Sequence, residues 1–177
     1  MIYGDRIRLR PAEREDLPTF ISWLADPEIR KGISRHLPMS IAQEEIWFEN
    51  MLKRPENEQT LVLEIMQGKK WNLIGTCGYH NIDWRARSAE LGIMIGEKKE
   101  WNKGYGTETM QLLLKHGFLV LNLNRMDLLV FEENLAAVRA YEKAGFVHEG
   151  RLREAQYSEG EYKDVIVMSV LRSEWKQ

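Results

Sequence analysis

The chain has 177 residues, of which 44% are hydrophobic and 29% charged, and its formal net charge at pH 7 is −2. This length suits one globular domain, which we expect over residues 1–177, and the small net charge excludes a general attraction to nucleic acid. Residues 1–13 are too charged for a signal peptide, and no apolar run is long enough for a membrane helix. We therefore expect a cytoplasmic protein that binds neither nucleic acid nor a membrane.

The first third of the sequence predicts one strand and two helices. Ile7 and Leu9 alternate with charged residues, which indicates a short strand with both apolar side chains turned inward. A helix is predicted from Asp16. A second helix, to about residue 54, begins at Ser40, because Gln43 follows at the spacing of a capping box. The apolar residues expected to support this second helix are Ile41, Ile46, Phe48 and Leu52.

Three strand-like segments follow at residues 60–66, 72–80 and 89–95, and polar turns separate them. Such closely connected strands predict an antiparallel meander. A well-marked amphipathic helix is then expected from about residues 104–107. Its apolar residues recur at helical spacing and are Met110, Leu113, Leu114, Phe118 and Leu121.

The last third alternates between strand and helix patterns. Residues 126–131 predict a strand, residues 134–144 predict a helix that Gly145 ends, and residues 146–157 and 162–171 predict a hairpin. A strand–helix–strand succession implies a parallel crossover connection. The whole order, β-α-α-β-β-β-α-β-α-β-β, predicts an α/β fold with a mixed sheet.

Disulfide and metal chemistry are not expected. The chain contains one cysteine, Cys77, which lies in an apolar stretch and is predicted to be a buried thiol rather than a nucleophile. The four histidines, His36, His80, His116 and His148, show no spacing typical of metal ligands. We therefore expect no metal cofactor.

Two glycines, Gly104 and Gly106, stand where the amphipathic helix should begin. They fit two interpretations: an easy turn, or a helix N-terminus whose backbone N–H groups are left bare for an anion such as a phosphate. Lys103 could add a point charge, Asn102 a polar cap and Thr107 a hydroxyl. The segment matches neither the Walker A loop nor the dinucleotide fingerprint.

Four more residues have both a structural and a functional interpretation. Alternation places Glu90 and Gly92 on one face of their strand, which is either solvated or part of a cleft. Asn134 and Tyr141 lie two turns apart on one helix face. Asn134 is either an N-cap or a ligand-binding amide, and Tyr141 is either a core aromatic or a hydroxyl donor.

Taken together, these segments resemble the GCN5-related N-acetyltransferase (GNAT) family, particularly its bacterial branch of spermidine and ribosomal-protein acetyltransferases. The resemblance covers nearly the whole chain and is densest in "AELGIMI", "WNKGYGTE", "HGFLVLNLNRM" and "EENLAAVRAYEKAGF". It implies the single-domain GNAT fold, acetyl-CoA as co-substrate, an amine acceptor and no metal.

The resemblance also implies site residues. The family's pyrophosphate-binding loop corresponds to Trp101, Asn102, Lys103, Gly104, Tyr105 and Gly106, followed by Thr107. Trp101 departs from the family's usual Gln or Arg. The strand whose backbone holds the pantetheine arm corresponds to Ile93, Met94 and Ile95. Asn134 corresponds to a residue that bonds to the cofactor arm, and Tyr141 to the general acid.

The chemistry of acetyl transfer suits these residue types. An alkyl ammonium has a pKa of about 10.4 and must lose a proton before it attacks a thioester, so Glu90 is the candidate general base, directly or through a water. Tyr141 can donate a proton to the departing thiolate. The backbone at Met94 can polarise the thioester carbonyl. Transfer is expected to be direct, without an acyl-enzyme.

The acceptor stays open at this level. Glu44, Glu45 and Glu49 share a predicted helix with Trp47 and Phe48, which fits either an acidic, aromatic wall for a polyamine or a solvated face with core aromatics. The candidate acceptors are small-molecule amines (a polyamine such as spermidine, an amino sugar or an aminoglycoside) and a protein N-terminus, as in ribosomal-protein acetyltransferases. A non-catalytic acyl-CoA-binding module is the alternative from another class. A homo-oligomer is left open.

Overall fold

The computed structural model describes residues 1–33 and 37–176, so His36 lies outside the described residues. The strands are β1 (Ile2–Tyr3), β2 (Ile7–Pro11), β3 (Leu61–Gln67), β4 (Lys70–Asp83), β5 (Ser88–Ile95), β6 (Arg125–Phe131), β7 (Val147–Ser158) and β8 (Glu161–Leu171). The helices are α1 (Leu17–Ala25), α2 (Pro27–Lys31), α3 (Ile41–Leu52), α4 (Tyr105–Leu119) and α5 (Leu135–Ala144). Every predicted element is present, and β1 and α2 are additional.

The strands form one eight-stranded sheet in the order β1-β2-β3-β4-β5-β6-β8-β7. Of the seven strand pairings in the described residues, only that of β5 with β6 is parallel. Helix α4 connects these two strands, which confirms the predicted crossover. The strands β3, β4 and β5 form the predicted antiparallel meander.

The parallel pairing of β5 with β6 is short. It joins Ser88 to Arg125, Ala89 to Met126 and Glu90 to Asp127. Among the described residues no pair follows Glu90, although β5 continues to Ile95 and β6 continues along β8. The two strands therefore part, and the edge of residues 91–95 that faces β6 has no strand partner. We call this opening the β5–β6 gap.

Apolar residues cover both faces of the sheet. Between the sheet and helices α4 and α5 lies the main core, whose residues include Ile7, Leu9, Tyr79, Leu91, Met110, Leu113, Leu114, Phe118 and Met126. On the opposite face, helices α1 to α3 enclose a second cluster that includes Leu17, Phe20, Trp23, Ile29, Phe48, Met51 and Val62. Buried Ile7 and Leu9 confirm the predicted strand orientation. Cys77 is buried as predicted, and burial raises the pKa of its thiol.

Helix α3 begins as predicted but presents a different face. Ser40 and Gln43 form the reciprocal capping box. The helix ends at Leu52 rather than near residue 54. Ile41, Ile46 and Leu52 are exposed, and the buried stripe runs instead through Glu44, Phe48 and Met51. The prediction was wrong about this stripe because it placed a glutamate outside, whereas the packing of Phe48 and Met51 carries Glu44 inward.

Within the described ranges, no helix has the length and apolar character needed to cross a bilayer. In the same ranges, His, Cys, Asp and Glu side chains nowhere gather in threes as potential metal ligands.

Candidate active site

Helix α4 begins directly after Gly104, whose φ of 85° lies in the left-handed region that favours glycine. No side chain among the described residues caps this N-terminus, so its first backbone N–H groups keep their capacity to bind an anion. A Cβ on Gly106 would meet only Ile95 Cδ1, at an ordinary 3.7 Å. Packing therefore does not explain Gly106, although glycine costs helix stability relative to alanine.

The polar side chains of the loop bind to the protein itself. Asn102 does not cap α4, because Gly104 occupies the N-cap position. Lys103 Nζ pairs with an oxygen of buried Glu100 at 3.0 Å. Thr107 Oγ1 donates to a carbonyl of α5, that of Ala140, at 3.2 Å. The predicted role of Asn102 as a cap is therefore wrong, whereas the role of Lys103 as a point charge beside the loop stays a prediction.

Trp101 fixes the loop to the end of β5. Its Nε1 donates to the carbonyl of Ile95 at 2.8 Å, and its ring packs against the second cluster. The Ile95 carbonyl therefore already accepts one hydrogen bond from within the protein. Ile93 and Ile95 pack into the main core and Met94 packs into the second cluster, so side chains on both faces hold this backbone beside the β5–β6 gap.

Arg6 holds the loop before α4 in place, and sequence reasoning did not identify it. Its Nε donates to Glu108 at 2.7 Å, its Nη1 donates to the Lys103 carbonyl at 3.1 Å, and its guanidinium lies over the Tyr105 ring. Its Nη2 lies 3.3 Å from where a Cβ on Gly104 would stand. No sequence signal links Arg6 to a loop about a hundred residues away, since only the sheet order brings them together.

Glu90 lies in register between His80 on β4 and Asp127 on β6, beside the point where β5 and β6 part. Its Oε2 accepts from Asn81 Nδ2 at 3.3 Å. Met94, on the same face of β5, packs into the second cluster, so Glu90 belongs to the face that α1 to α3 cover.

The ring of His80 occupies the space next to Gly92. A Cβ on Gly92 would stand 2.8 Å from His80 Nε2 and 3.1 Å from its Cδ2. The ring therefore explains the glycine, for which sequence reasoning left a cleft and a solvated face open. Burial lowers the pKa of His80, and the charge of Glu90 opposes that shift. Alternation alone could not reveal this contact, because it depends on the register of β4 against β5.

Helix α5 carries the other two predicted residues. Asn134 is its N-cap, and its Oδ1 accepts from the Ala137 N–H at 3.2 Å. The Asn134 Nδ2 atom lies 3.8 Å from where a Cβ on Gly32 would stand. Tyr141 packs beside Phe146 in the main core, with ring centroids 5.9 Å apart. Burial raises the pKa of Tyr141 to about 12, so its hydroxyl is protonated at neutral pH.

The two predicted catalytic side chains belong to opposite faces of the sheet. Tyr141 packs on the side of α4 and α5, and Glu90 lies on the side of α1 to α3. The β5–β6 gap is the opening between these faces next to Glu90.

The acidic, aromatic wall suggested for α3 does not form. Glu44 and Phe48 are buried, and Trp47 packs edge-on against the ring of Phe20. Glu49 pairs with Arg14. The aromatic residues of this helix therefore belong to the second cluster.

Comparison with known proteins agrees with this geometry. Residues 6–147 match the model of the acetyltransferase (GNAT) domain. The chain is 31% identical over 176 residues to an uncharacterized N-acetyltransferase of Bacillus licheniformis, covering 98% of this chain and 97% of that protein. It is 32% identical over 105 residues to a putative ribosomal N-acetyltransferase of Bacillus subtilis, covering 59% of this chain and 57% of that one.

A solved structure matches the fold over nearly its full length. The crystal structure of spermidine N-acetyltransferase from Vibrio cholerae, in complex with CoA and spermine, aligns with a TM-score of 0.87 and 31% identity. The alignment covers 97% of this chain and 98% of that one. With the matched domain model and the shared mixed sheet, this shows that the chain belongs to the GCN5-related N-acetyltransferase family and is an N-acetyltransferase.

Proposed function

We propose that the chain transfers the acetyl group of acetyl-CoA to a primary amine of a polyamine such as spermidine. The observation that carries the proposal is the β5–β6 gap beside Glu90, while Tyr141 packs on the opposite face of the sheet. The polyamine is supported by the similarity to the Vibrio cholerae enzyme, whose structure contains CoA and spermine.

The residues present fit the chemistry of acetyl-CoA. The uncapped N-terminus of α4 offers backbone N–H groups to a diphosphate, and packing gives no reason for the glycine at 106. The unpartnered edge of residues 91–95 can hydrogen-bond the amide groups of an extended pantetheine arm. Asn134 uses its oxygen as a cap, which leaves its amide N–H groups as candidate donors to the arm.

In the mechanism, acetyl-CoA supplies the thioester that the amine attacks. Glu90 provides the negative charge that draws a proton from the acceptor ammonium, directly or through a relay. The Met94 backbone N–H is the candidate group for polarising the acyl carbonyl. Tyr141 donates its proton to the departing sulfur, whose thiol has an ordinary pKa of about 8.5.

Direct attack without an acyl-enzyme is supported by the state of the chain's single cysteine. Cys77 is buried in the main core, and burial raises the pKa of its thiol. A buried neutral thiol is a poor nucleophile. The amine is therefore the proposed attacking group.

A second acceptor class has its own support. The similarity to a putative ribosomal N-acetyltransferase favours a protein N-terminus, but it covers 59% of this chain, whereas the Vibrio cholerae alignment covers 97%.

The experiment is thiol release from acetyl-CoA across polyamines, amino sugars, aminoglycosides and N-terminal peptides. We expect spermidine or spermine to give the highest kcat/KM, and mass spectrometry to show one added acetyl group. Preference for N-terminal peptides would assign the second class instead. Absence of turnover with every amine, despite binding of CoA, would overturn the proposed function.

A further inference from the structure

We propose that His80 is the relay that accepts the proton of the acceptor ammonium, and that Glu90 positions it and holds the imidazolium that results. The inference rests on the proposed function and deepens it. Sequence reasoning gave the role of general base to Glu90 alone, and the inference divides this role between His80 and Glu90.

The register of the sheet places the two side chains together. His80 and Glu90 are direct partners in the antiparallel pairing of β4 with β5. Directly opposed residues have Cβ atoms about 4.5–5.5 Å apart and point to the same face. This is the face covered by α1 to α3, on the side of the β5–β6 gap opposite Tyr141.

The ring of His80 reaches further along β5 than Glu90. Its Nε2 stands 2.8 Å from the Cβ position of Gly92, so the ring edge lies over the backbone of β5. That backbone belongs to residues 91–95, which have no β6 partner in the described part of the chain. His80 Nε2 thus lies over the stretch of β5 that borders the β5–β6 gap.

The ring also has spare hydrogen-bonding capacity. Among the hydrogen bonds of residues 1–33 and 37–176, His116 Nδ1 is bonded to the Tyr79 hydroxyl and His148 Nε2 to Glu142. No such bond in those residues involves the His80 ring, which is only partly buried. A half-buried imidazole that has no hydrogen-bond partner among the described residues suits proton exchange with a ligand better than it suits a structural role.

The charges around His80 suit a base. Three charged groups act on the ring: Glu90 on β5, Glu58 in the short turn before β3, and Arg54 after α3. Burial, joined by Arg54, lowers the pKa of His80, while the two carboxylates oppose the shift. The ring is therefore neutral at pH 7 and can accept a proton, and the carboxylates stabilise it once charged.

The proton balance closes. His80 Nε2 takes one proton from the ammonium and becomes an imidazolium beside Glu90, which leaves a neutral amine. The new N–C bond forms as the C–S bond breaks, and the departing sulfur takes the hydroxyl proton of Tyr141. The nitrogen of the new amide gives its second proton to the Tyr141 phenolate, directly or through water, which restores that hydroxyl. His80 then releases its proton to water, so one proton is set free for each acetyl group transferred.

The test compares His80→Gln, Glu90→Gln and His116→Gln with the unsubstituted protein, in pH profiles of kcat/KM and in NMR titrations of the imidazoles. His116 is the matched control, since burial also lowers its pKa and its ring contacts Tyr79 rather than the gap. Stabilisation against heat by CoA checks that each variant folds.

We expect His80→Gln to lower kcat/KM at pH 7 about 100-fold. In the unsubstituted protein, kcat/KM should fall below pH 6.5 as His80 becomes protonated, and we call this fall the break. The variant should lack the break and show only the rise in kcat/KM that comes from deprotonation of the amine itself. Glu90→Gln should move both that break and the NMR midpoint of His80 to lower pH, because a stabilising charge is lost. His116→Gln should leave both unchanged. His80→Asn repeats the test if His80→Gln does not fold.

Two results would overturn the relay while leaving the proposed function intact. One is a His80→Gln variant that keeps the rate and the break of the unsubstituted protein. The other is an NMR midpoint of His80 that does not respond to Glu90→Gln. Absence of turnover in the unsubstituted protein with every amine overturns the proposed function itself, and the relay with it.

Discussion

Arg6 and Glu108 are joined by two hydrogen bonds of 2.7 Å, one from the backbone N–H of Arg6 and one from its Nε atom. Arg6 precedes β2 at one end of the sheet, and Glu108 lies in the first turn of α4. The same guanidinium holds the Lys103 carbonyl and covers the Tyr105 ring. These contacts fix the loop before α4, whose backbone is the proposed diphosphate site.

We predict that Arg6→Gln raises the KM for acetyl-CoA about tenfold with little change in kcat, because the loop loses its charged brace but no reacting group changes. A tenfold change corresponds to about 1.4 kcal/mol, near the value of one hydrogen bond to a charged group. Steady-state kinetics with varied acetyl-CoA measure it. Arg14→Gln is the control, since Arg14 pairs with Glu49 on an exposed surface. Equal KM values for acetyl-CoA in the unsubstituted protein, Arg6→Gln and Arg14→Gln would show that the contacts of Arg6 have no role in acetyl-CoA binding.

The glycine loop gives a second prediction. Gly106→Trp should abolish the thermal stabilisation by CoA while the protein stays folded, because the indole would fill the space before the helix N-terminus. Gly104→Ala should weaken CoA binding and cost roughly 1–2 kcal/mol of stability, since φ is 85° at this position. Gly160→Ala is a matched control, because Gly160 has a φ of 87° in the distant β7–β8 turn. It should lower stability but not CoA binding; loss of binding there too would indicate a general effect of instability.

Tyr141→Phe is predicted to lower kcat about 100-fold without changing the KM for acetyl-CoA, because it removes only the hydroxyl proton. Burial raises the pKa of Tyr141 to about 12. Because Tyr141 can donate a proton only while its hydroxyl is protonated, it loses this ability only as the pH approaches about 12. The kcat of the unsubstituted protein should therefore show no fall between pH 7 and 10 from this group. Tyr157→Phe, which removes an exposed hydroxyl, should retain full activity. A Tyr141→Phe variant as active as the Tyr157→Phe control would remove Tyr141 from the mechanism.

Most of the fold was predicted from local sequence patterns, such as the spacing of apolar residues and the position of glycines. Helix α4 follows from the spacing of Met110, Leu113 and Phe118, and the end of α5 follows from Gly145, whose φ is 105°. Such features depend on neighbouring residues, so one sequence is enough to read them. The cytoplasmic location stays a prediction.

The contacts that were missed depend on register and topology. His80 meets Glu90 only because of one alignment of β4 with β5, and Arg6 meets Glu108 across 102 positions of the chain. The buried side of α3 was predicted wrongly for a related reason. The inward turn of Glu44 follows from packing against other elements, which residue spacing within one helix does not specify.

The last prediction concerns acid stability and the ion pair of Arg125 with Glu149. Hydrogen bonds from Arg125, and a further one from Ser169, lower the pKa of Glu149 to about 2. Because the folded pKa lies below the ordinary value of 4.5, the pair stabilises the protein above that pH and loses its effect as pH falls toward about 2. The Glu149 side chain is 38% exposed, so solvent screening reduces the effect to about 1 kcal/mol.

Glu149→Gln should therefore lower the free energy of unfolding at pH 7 by about 1 kcal/mol, and the difference should vanish near pH 2. Urea unfolding followed at pH 7, 4 and 2 measures it. Glu159→Gln is the control, because Glu159 and its partner Lys31 are both more than half exposed and such pairs contribute little. A difference for Glu149→Gln that stays constant from pH 7 to 2 would mean that the substitution acts through packing rather than through the carboxylate charge.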